Sequence, residues 1–159
     1  MLEYVSGDLT SLKDKHDFII VQQVNCQGAM GAGLARAIMN TWSDVKPNYL
    51  KWCSLHPDKA KRLGRVQTTK LGKNGFICNI FGQMYYGKSG HYTNEAKLLE
   101  GIAFVVSRAS WVGLPVYIPE NIGSGLAGGN KSLILQGIKY AADKVKTPVY
   151  LVHYSKAQL

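Results

Sequence analysis

The sequence has few cysteines, few acidic residues and no long apolar run. Its three cysteines, Cys26, Cys53 and Cys78, are odd in number and lack C-x-x-C spacing, which argues against a disulfide framework and against a zinc site. No stretch approaches the length of a membrane span, and the first residues, MLEYVSGDLT, do not resemble a secretion signal. We therefore expect a protein of the reducing cytoplasm that holds no metal and does not enter a membrane.

Basic residues are in excess. The chain has 19 Lys and Arg against 10 Asp and Glu, a formal net charge of +9. This balance favours an anionic ligand and also permits weak, non-specific attraction to nucleic acid. The 159 residues suffice for one ordinary core, and the sequence shows no repeat, low-complexity tract or linker. We expect residues 1–159 to form a single domain and the protein to be a monomer.

Apolar segments bounded by turn residues predict six strands, and segments with helical spacing predict four helices. The predicted strands are Glu3–Val5, Asp17–Val24, Arg65–Lys70, Phe76–Phe81, Leu114–Ile118 and Pro148–Tyr154, and the predicted helices are Gly33–Thr41, Pro47–Leu55, Thr93–Ser110 and Lys131–Val145. The turn Gly72-Lys73-Asn74-Gly75 predicts a hairpin, whereas the alternation of strands and helices implies parallel crossovers. The expected fold is a three-layer α/β/α sandwich around a mixed, mostly parallel sheet.

Two glycine-rich segments, Gln27–Gly33 and Ile122–Asn130, each follow a predicted strand and precede a predicted helix. Glycine lets backbone N–H groups approach an anion, and the N-terminus of a helix adds about half a positive charge. Ordinary strand-to-helix turns also use glycine, so one such segment would say little. Two of them at the carboxyl ends of strands predict that the protein holds a diphosphate between two loops.

The common nucleotide-binding motifs are absent. Gly28-x-x-Gly31-x-Gly33 is not G-x-G-x-x-G, and no acidic residue follows a second strand at the required distance. The P-loop motif G-x-x-x-x-G-K-[ST] does not occur either. The sequence therefore argues against a Rossmann oxidoreductase and against a P-loop NTPase.

Four motifs in order span nearly the whole chain: Gly7-Asp8-Leu9, Val24-Asn25-Cys26, Met30-Gly31-Ala32-Gly33-Leu34-Ala35, and Pro119 with Ile122-Gly123-Ser124-Gly125-Leu126. Together they resemble the macrodomain, the ADP-ribose-binding module. The M-G-x-G-[LI]-A form is similar to the small branch of that family that contains the terminal ADP-ribose glycohydrolase and the ADP-ribose 1''-phosphate phosphatases of yeast and phage. The resemblance implies the same α/β/α fold and ADP-ribose as the ligand, without a cofactor.

The resemblance also implies ligand contacts. Asp8, with Leu9 beside it, would accept a hydrogen bond from the adenine amino group, and Tyr154 would pack against the adenine. Asn25 has both a donor and an acceptor, which suits a ribose diol or a water over the distal anomeric carbon. The diphosphate and the distal ribose would lie between two sets of loop residues, Gly31, Ala32 and Gly33 on one side and Ile122, Gly123, Ser124, Gly125, Leu126 and Ala127 on the other.

Each of three assignments has a structural alternative. Asp8 could cap a turn or a helix, as aspartate after glycine commonly does. Asn25 could be a buried amide that holds the following loop, and Tyr154 could be an ordinary core or surface tyrosine. The residue types alone leave both readings open.

The catalytic residues of this branch are only partly matched in the sequence. Members of the branch that release ADP-ribose from glutamate use a lysine after the fourth strand and an aspartate directly after G-x-G-L. Gln83 and Ala127 occupy those places here, with Lys88 as a displaced candidate, and this disfavours a lysine-linked mechanism. The remaining catalytic candidates are Asn25, holding a water, and His91, as a general acid or a phosphate contact. The alternative for His91 is an exposed loop histidine.

Three functions follow as hypotheses. The first is hydrolysis of an ADP-ribose derivative at the distal ribose, as an ADP-ribose 1''-phosphate phosphatase or an O-acyl-ADP-ribose deacylase. The second is a non-catalytic reader of ADP-ribose. The third is a nucleic-acid-binding protein that uses a basic cluster, although such a cluster more often forms a solvated face. The cluster consists of Lys59, Lys61, Arg62, Arg65, Lys70 and Lys73.

Overall fold

A computed structural model describes residues 1–159 as six strands, five α-helices and one 3-10 helix. The strands are β1 (Leu2–Gly7), β2 (Phe18–Asn25), β3 (Val66–Leu71), β4 (Gly75–Gln83), β5 (Val116–Pro119) and β6 (Val149–Tyr154). The helices are α1 (Gly33–Thr41), α2 (Val45–Leu55), α3 (Lys59–Arg62), α4 (Glu95–Val112) and α5 (Lys131–Asp143), and the 3-10 helix spans Leu9–Asp14. All six predicted strands and all four predicted helices are present. The sequence did not predict α3 or the 3-10 helix, because both are too short to show a period.

The six strands form one sheet in the order β1-β6-β5-β2-β4-β3. Neighbouring strands are parallel except β3 and β4, which form the predicted antiparallel hairpin. β5 pairs with β2 only at Ile19 and Ile20, while β2 continues to Asn25. The two strands therefore separate towards their carboxyl ends, which is where open α/β sheets bind ligands.

Side chains alternate between the two faces of the sheet and so build two cores. Ile19 and Val21 of β2 pack in one core with α4 and α5, whereas Phe18 and Ile20 pack in the other with α1, α2 and the 3-10 helix. Helices therefore cover both faces, which confirms the three-layer α/β/α sandwich. None of the helices combines the length and the apolar character needed to cross a bilayer.

Candidate ligand-binding cleft

Three adjoining cavities follow the carboxyl ends of the strands. The first has a volume of about 430 Å³, the middle one about 260 Å³ and the third about 450 Å³. Leu34, Pro119 and Asn121 line both the first and the middle cavity. Ala32 and Ala127 are among the residues that line both the middle and the third. Because each cavity shares lining residues with the next, the three lie side by side, and we refer to them together as the cleft.

Asp8 and Tyr154 both line the first cavity, as expected for a shared site. Gly7 and Tyr154 are in register on the paired strands β1 and β6, so Asp8 directly follows the β1 end of that pair. Asp8 Oδ1 caps the 3-10 helix by accepting hydrogen bonds from Thr10 N at 2.9 Å and Thr10 Oγ1 at 2.7 Å. Its Oδ2 accepts no hydrogen bond within the protein. Asp8 therefore caps the 3-10 helix with one carboxylate oxygen, as the structural alternative predicted, and its second oxygen is free to bind a ligand.

The middle cavity is lined by backbone and by uncharged side chains only. The N–H groups of Ala32, Gly125, Leu126 and Ala127 donate no hydrogen bond within the protein, and all four residues line this cavity. The first turn of α1 has no side-chain cap, and its first residue, Gly33, has a left-handed φ of +57°. Unpaired N–H groups from two loops and a helix N-terminus suit an anion.

The predicted phosphate-loop residues do not all reach the cleft. Ile122 and Gly123 line the middle cavity, and Gly31 lines the third. Ser124 lines none of the three, and its Oγ donates to Asn121 O at 3.3 Å. Leu9 lines the first cavity from a buried position.

Asn25 lines the third cavity and also holds the loop that follows β2. Its Nδ2 donates to Ala29 O at 2.7 Å, while its Oδ1 accepts from Gln27 N at 3.0 Å and Ala29 N at 3.2 Å. Asn25 is therefore an amide that holds the following loop, as its structural alternative predicted. The Oδ1 atom is already engaged by two backbone donors.

Gln83 and Ala127, the residues at the places of the lysine and the aspartate, both line the third cavity. The Gln83 amide is held at both ends, because its Oε1 accepts from Gln23 Nε2 at 2.8 Å and its Nε2 donates to Tyr85 O at 2.7 Å. No charged side chain, and so no lysine, lines this cavity. The third cavity offers hydrogen bonds but no amine that could form a covalent intermediate.

His91 lies beside the cleft and lines none of the three cavities. Its Nε2 is 2.7 Å from Glu95 Oε2, which also accepts from Asn130 N at 2.8 Å. Burial opposes the charged form of Glu95, but the hydrogen bonds from backbone N–H groups and the nearby His91 ring outweigh it and lower the pKa of this carboxyl. Through its bond from Asn130 N, Glu95 joins the start of α4 to the start of α5.

Arg62 corrects one sequence-based reading, because it is buried and does not belong to a solvated basic face. Its guanidinium donates to the carbonyl oxygens of Cys26 and Cys53 at 2.7 Å each and of His56 at 2.6 Å. Cys53 and His56 lie at the C-terminal end of α2, where the helix dipole favours a cation. Arg62 thereby connects α2 to the residue that follows Asn25.

Tyr49 and Cys26 lie beside the contacts of Arg62. The Tyr49 hydroxyl donates to Asn25 O at 2.6 Å. Burial raises the pKa of the Cys26 thiol to about 11, although nearby Arg62 lowers it in part. Cys26 is therefore a neutral, buried thiol and no nucleophile at neutral pH.

Replacing Arg62 with Ala is expected to reduce the free energy of unfolding by about 3 kcal/mol, because the carbonyl groups of Cys26, Cys53 and His56 each lose a hydrogen bond from the guanidinium. Urea denaturation of the variant and the parent measures the difference. The exposed neighbour gives the matched control, since Lys61→Ala removes a charge and no buried contact. Equal stability of the Arg62 and Lys61 variants would show that water replaces the guanidinium.

Several lining residues were not predicted from the sequence. Glu120 and Asn121 line the first cavity, and Tyr86 and Gly87 line the third. The Glu120 carboxylate is paired with His153 Nδ1. The sequence offered a signal only for Glu120 and Asn121, which directly follow Pro119 in the fourth motif, and the loop that contains Tyr86 and Gly87 has no motif of its own.

No family model and no curated protein matches the sequence. Among solved structures, a protein of unknown function from Bacteroides thetaiotaomicron is 23% identical with a TM-score of 0.85, over 98% of each chain. A macrodomain protein from Streptomyces coelicolor is also 23% identical, with a TM-score of 0.80 over 98% of this chain and 100% of that one. Thermosipho africanus DarTG in complex with ADP-ribose is 17% identical with a TM-score of 0.71, over 91% of this chain and 39% of that one.

Proposed function

We propose, from the premise that this chain has the macrodomain fold, that its cleft binds ADP-ribose. The observation that carries the proposal is the order of the three cavities. A free carboxylate oxygen lies in the first, unpaired N–H groups line the middle one, and Asn25 lies in the third. ADP-ribose presents an amino donor, a diphosphate and a second ribose in the same order. The ADP-ribose in the DarTG complex supports this assignment.

The adenine end is the first cavity. Asp8 Oδ2 would accept from the adenine amino group, while Tyr154, which is 68% exposed, would cover one face of the ring. Leu9, Leu34 and Val152 supply apolar surface in the same cavity. The free acceptor of Asp8 favours adenine over a base that presents a carbonyl oxygen at that position.

The diphosphate would occupy the middle cavity. Neither Lys nor Arg lines it, so the anion would be held by backbone N–H groups and by the N-terminus of α1. We expect a dissociation constant in the micromolar range, which corresponds to a binding free energy of about −8 kcal/mol, because the cleft has many neutral donors and no charged side chain that clamps the diphosphate. Titration calorimetry with ADP-ribose measures it, and AMP should bind more weakly. The absence of both binding heat in calorimetry and a thermal shift at millimolar ADP-ribose would contradict the proposal.

Replacing Asp8 with Asn is expected to weaken ADP-ribose binding by about 1–3 kcal/mol, because an NH₂ group would then face the adenine amino group. Asn keeps an oxygen for the Thr10 cap, so the fold is retained. Calorimetry and thermal denaturation separate the two effects. Asp58 offers a matched control, since it caps α3 through Ala60 N at 3.1 Å and lines no part of the cleft. If Asp8→Asn binds as well as Asp58→Asn, Asp8 is a turn residue only.

Hydrolysis at the distal ribose is a second candidate, and the size of the third cavity supports it. About 450 Å³ lies beyond the middle cavity, enough for a ribose that carries a phosphate or an acyl group. In this proposal Asn25 positions the attacking water, and His91 acts as general acid after its loop moves towards the cleft. The substrates are ADP-ribose 1''-phosphate or O-acyl-ADP-ribose, and no lysine-linked intermediate forms.

The engaged amides of Asn25 and Gln83 support the alternative of a non-catalytic reader. Incubation with ADP-ribose 1''-phosphate, O-acetyl-ADP-ribose and ADP-ribosylated protein separates the enzyme from the reader. The net charge of +9 supports only weak binding of nucleic acid. Such binding would fall steeply with salt concentration, whereas ADP-ribose binding through neutral donors would fall less.

A further inference from the structure

Three buried amide side chains form a ladder across the sheet beneath the cleft. Asn79 of β4 is in register with Gln22 of β2 on one side and with Gln67 of β3 on the other. Gln22 Nε2 donates to Asn79 Oδ1 at 2.7 Å, and Asn79 Nδ2 donates to Gln67 Oε1 at 2.8 Å. The ladder ends where Gln67 Nε2 donates to Thr69 Oγ1 at 2.8 Å. The three amides are at most 4% exposed.

The cleft end of the ladder has a free acceptor. Gln22 lines the middle cavity, and its Oε1 accepts no hydrogen bond within the protein. Gln22 Oε1 is not fully buried, because Gln23 Oε1 is the only fully buried side-chain nitrogen or oxygen atom that has no hydrogen-bond partner. Gln22 is only 3% exposed, so a residue that is 97% buried keeps one polar atom accessible to the cleft.

We propose that Gln22 Oε1 accepts a hydrogen bond from a hydroxyl group of the distal ribose. The proposal rests on ADP-ribose binding in this cleft. An amide oxygen repels a diphosphate and requires a donor, and the ribose hydroxyls are the donors next to the diphosphate. Gln22 belongs to β2, whose following residues Gln23 and Asn25 line the third cavity, whereas no residue of β2 lines the first. The donor is therefore the ribose on the side of the third cavity.

The ladder explains why this acceptor is fixed in place. A glutamine on the surface loses side-chain entropy when it binds a ligand, whereas the Gln22 amide is already held by Asn79. Asn79 is in turn held by Gln67. Gln22 is thus a preorganised contact that selects for the second sugar.

The test compares ADP-ribose with ADP, which lacks the distal ribose, on the parent and on Gln22→Met. Methionine keeps the volume and removes the acceptor. The variant should bind ADP-ribose about fivefold to tenfold more weakly and bind ADP within about twofold of the parent. Gln67→Met is the matched control, because it breaks the same ladder at a residue that does not line the cleft. It should leave ADP affinity near the parent value and weaken ADP-ribose binding by less than about twofold, because Gln22 keeps both its free oxygen and its bond to Asn79.

A second measurement uses the parent protein alone and does not depend on the stability of any variant. ADP-ribose lacking the distal 2''-hydroxyl or the distal 3''-hydroxyl should include one analogue that binds about fivefold to tenfold more weakly. Equal losses of ADP and ADP-ribose affinity in Gln22→Met, or full affinity of the parent for both deoxy analogues, would overturn the inference. A parent that binds neither ADP nor ADP-ribose overturns the proposed function itself.

Discussion

Valine in place of Gly125 or Gly33 is expected to lower ADP-ribose affinity by at least about a hundredfold, or about 2.7 kcal/mol. A Cβ atom at Gly125 would meet no protein atom within 4 Å, and Gly125 lines the middle cavity. The new side chain would therefore fit the free protein and occupy the volume assigned to the diphosphate. At Gly33 the left-handed φ of +57° also disfavours a β-branched residue, so the first turn of α1 would move.

Gly72 provides the matched control for Gly33. Its φ is +60°, a Cβ there would also meet nothing within 4 Å, and it lies in the hairpin between β3 and β4. Gly72→Val carries the same backbone strain without touching the cleft and should bind ADP-ribose like the parent. The exposed pair Lys61→Ala with Lys73→Ala should also bind normally. Loss of binding in the lysine pair with full binding in Gly125→Val would favour a site on the basic face.

Replacing Asn25 with Ala is expected to lower turnover of ADP-ribose 1''-phosphate by about a hundredfold or more, because a positioned water can contribute several kcal/mol to the barrier. Phosphate release assays measure turnover, and calorimetry measures product binding in parallel. Alanine also frees the Gln27–Ala29 loop, since Asn25 Oδ1 holds Gln27 N and Ala29 N. Asn25→Asp keeps that acceptor and loses only the Nδ2 bond to Ala29 O, so it tests how far turnover depends on the Nδ2 donor.

His91→Ala tests the proposed acid separately, with an expected loss of turnover of about 10²–10⁴-fold. The variant also removes the contact with Glu95, and Glu95→Gln is its control, because it weakens the same pair and leaves the imidazole in place. Similar losses in both variants would indicate a structural role for the pair. If the parent binds ADP-ribose and turns over none of the three substrate classes, the enzyme proposal is wrong and the protein is a reader.

The fold was largely predictable because its information is local. The strands of the central sheet are apolar segments between turn residues, and α1 was predicted with its observed bounds, Gly33–Thr41. α2 begins two residues before the predicted start at Pro47, since the apolar period is weak there. The placement of Asp8 next to Tyr154 was also predictable, because both follow or end strands whose carboxyl ends share one edge of the sheet.

By itself, the sequence determined the α/β/α sandwich, its mixed sheet and the two glycine loops, because strand and helix periods and turn residues act over a few neighbouring positions. Only the tertiary structure decided which polar groups were already paired. Arg62 belongs to a basic run in sequence, yet it is buried against three carbonyl oxygens, the nearest of which lies six residues away. Gln22 reads as a polar interruption of a strand, and its free oxygen became apparent only beside Asn79, 57 residues later. Hydrogen bonds between distant residues leave no period in the sequence, and they decide which atoms remain for a ligand.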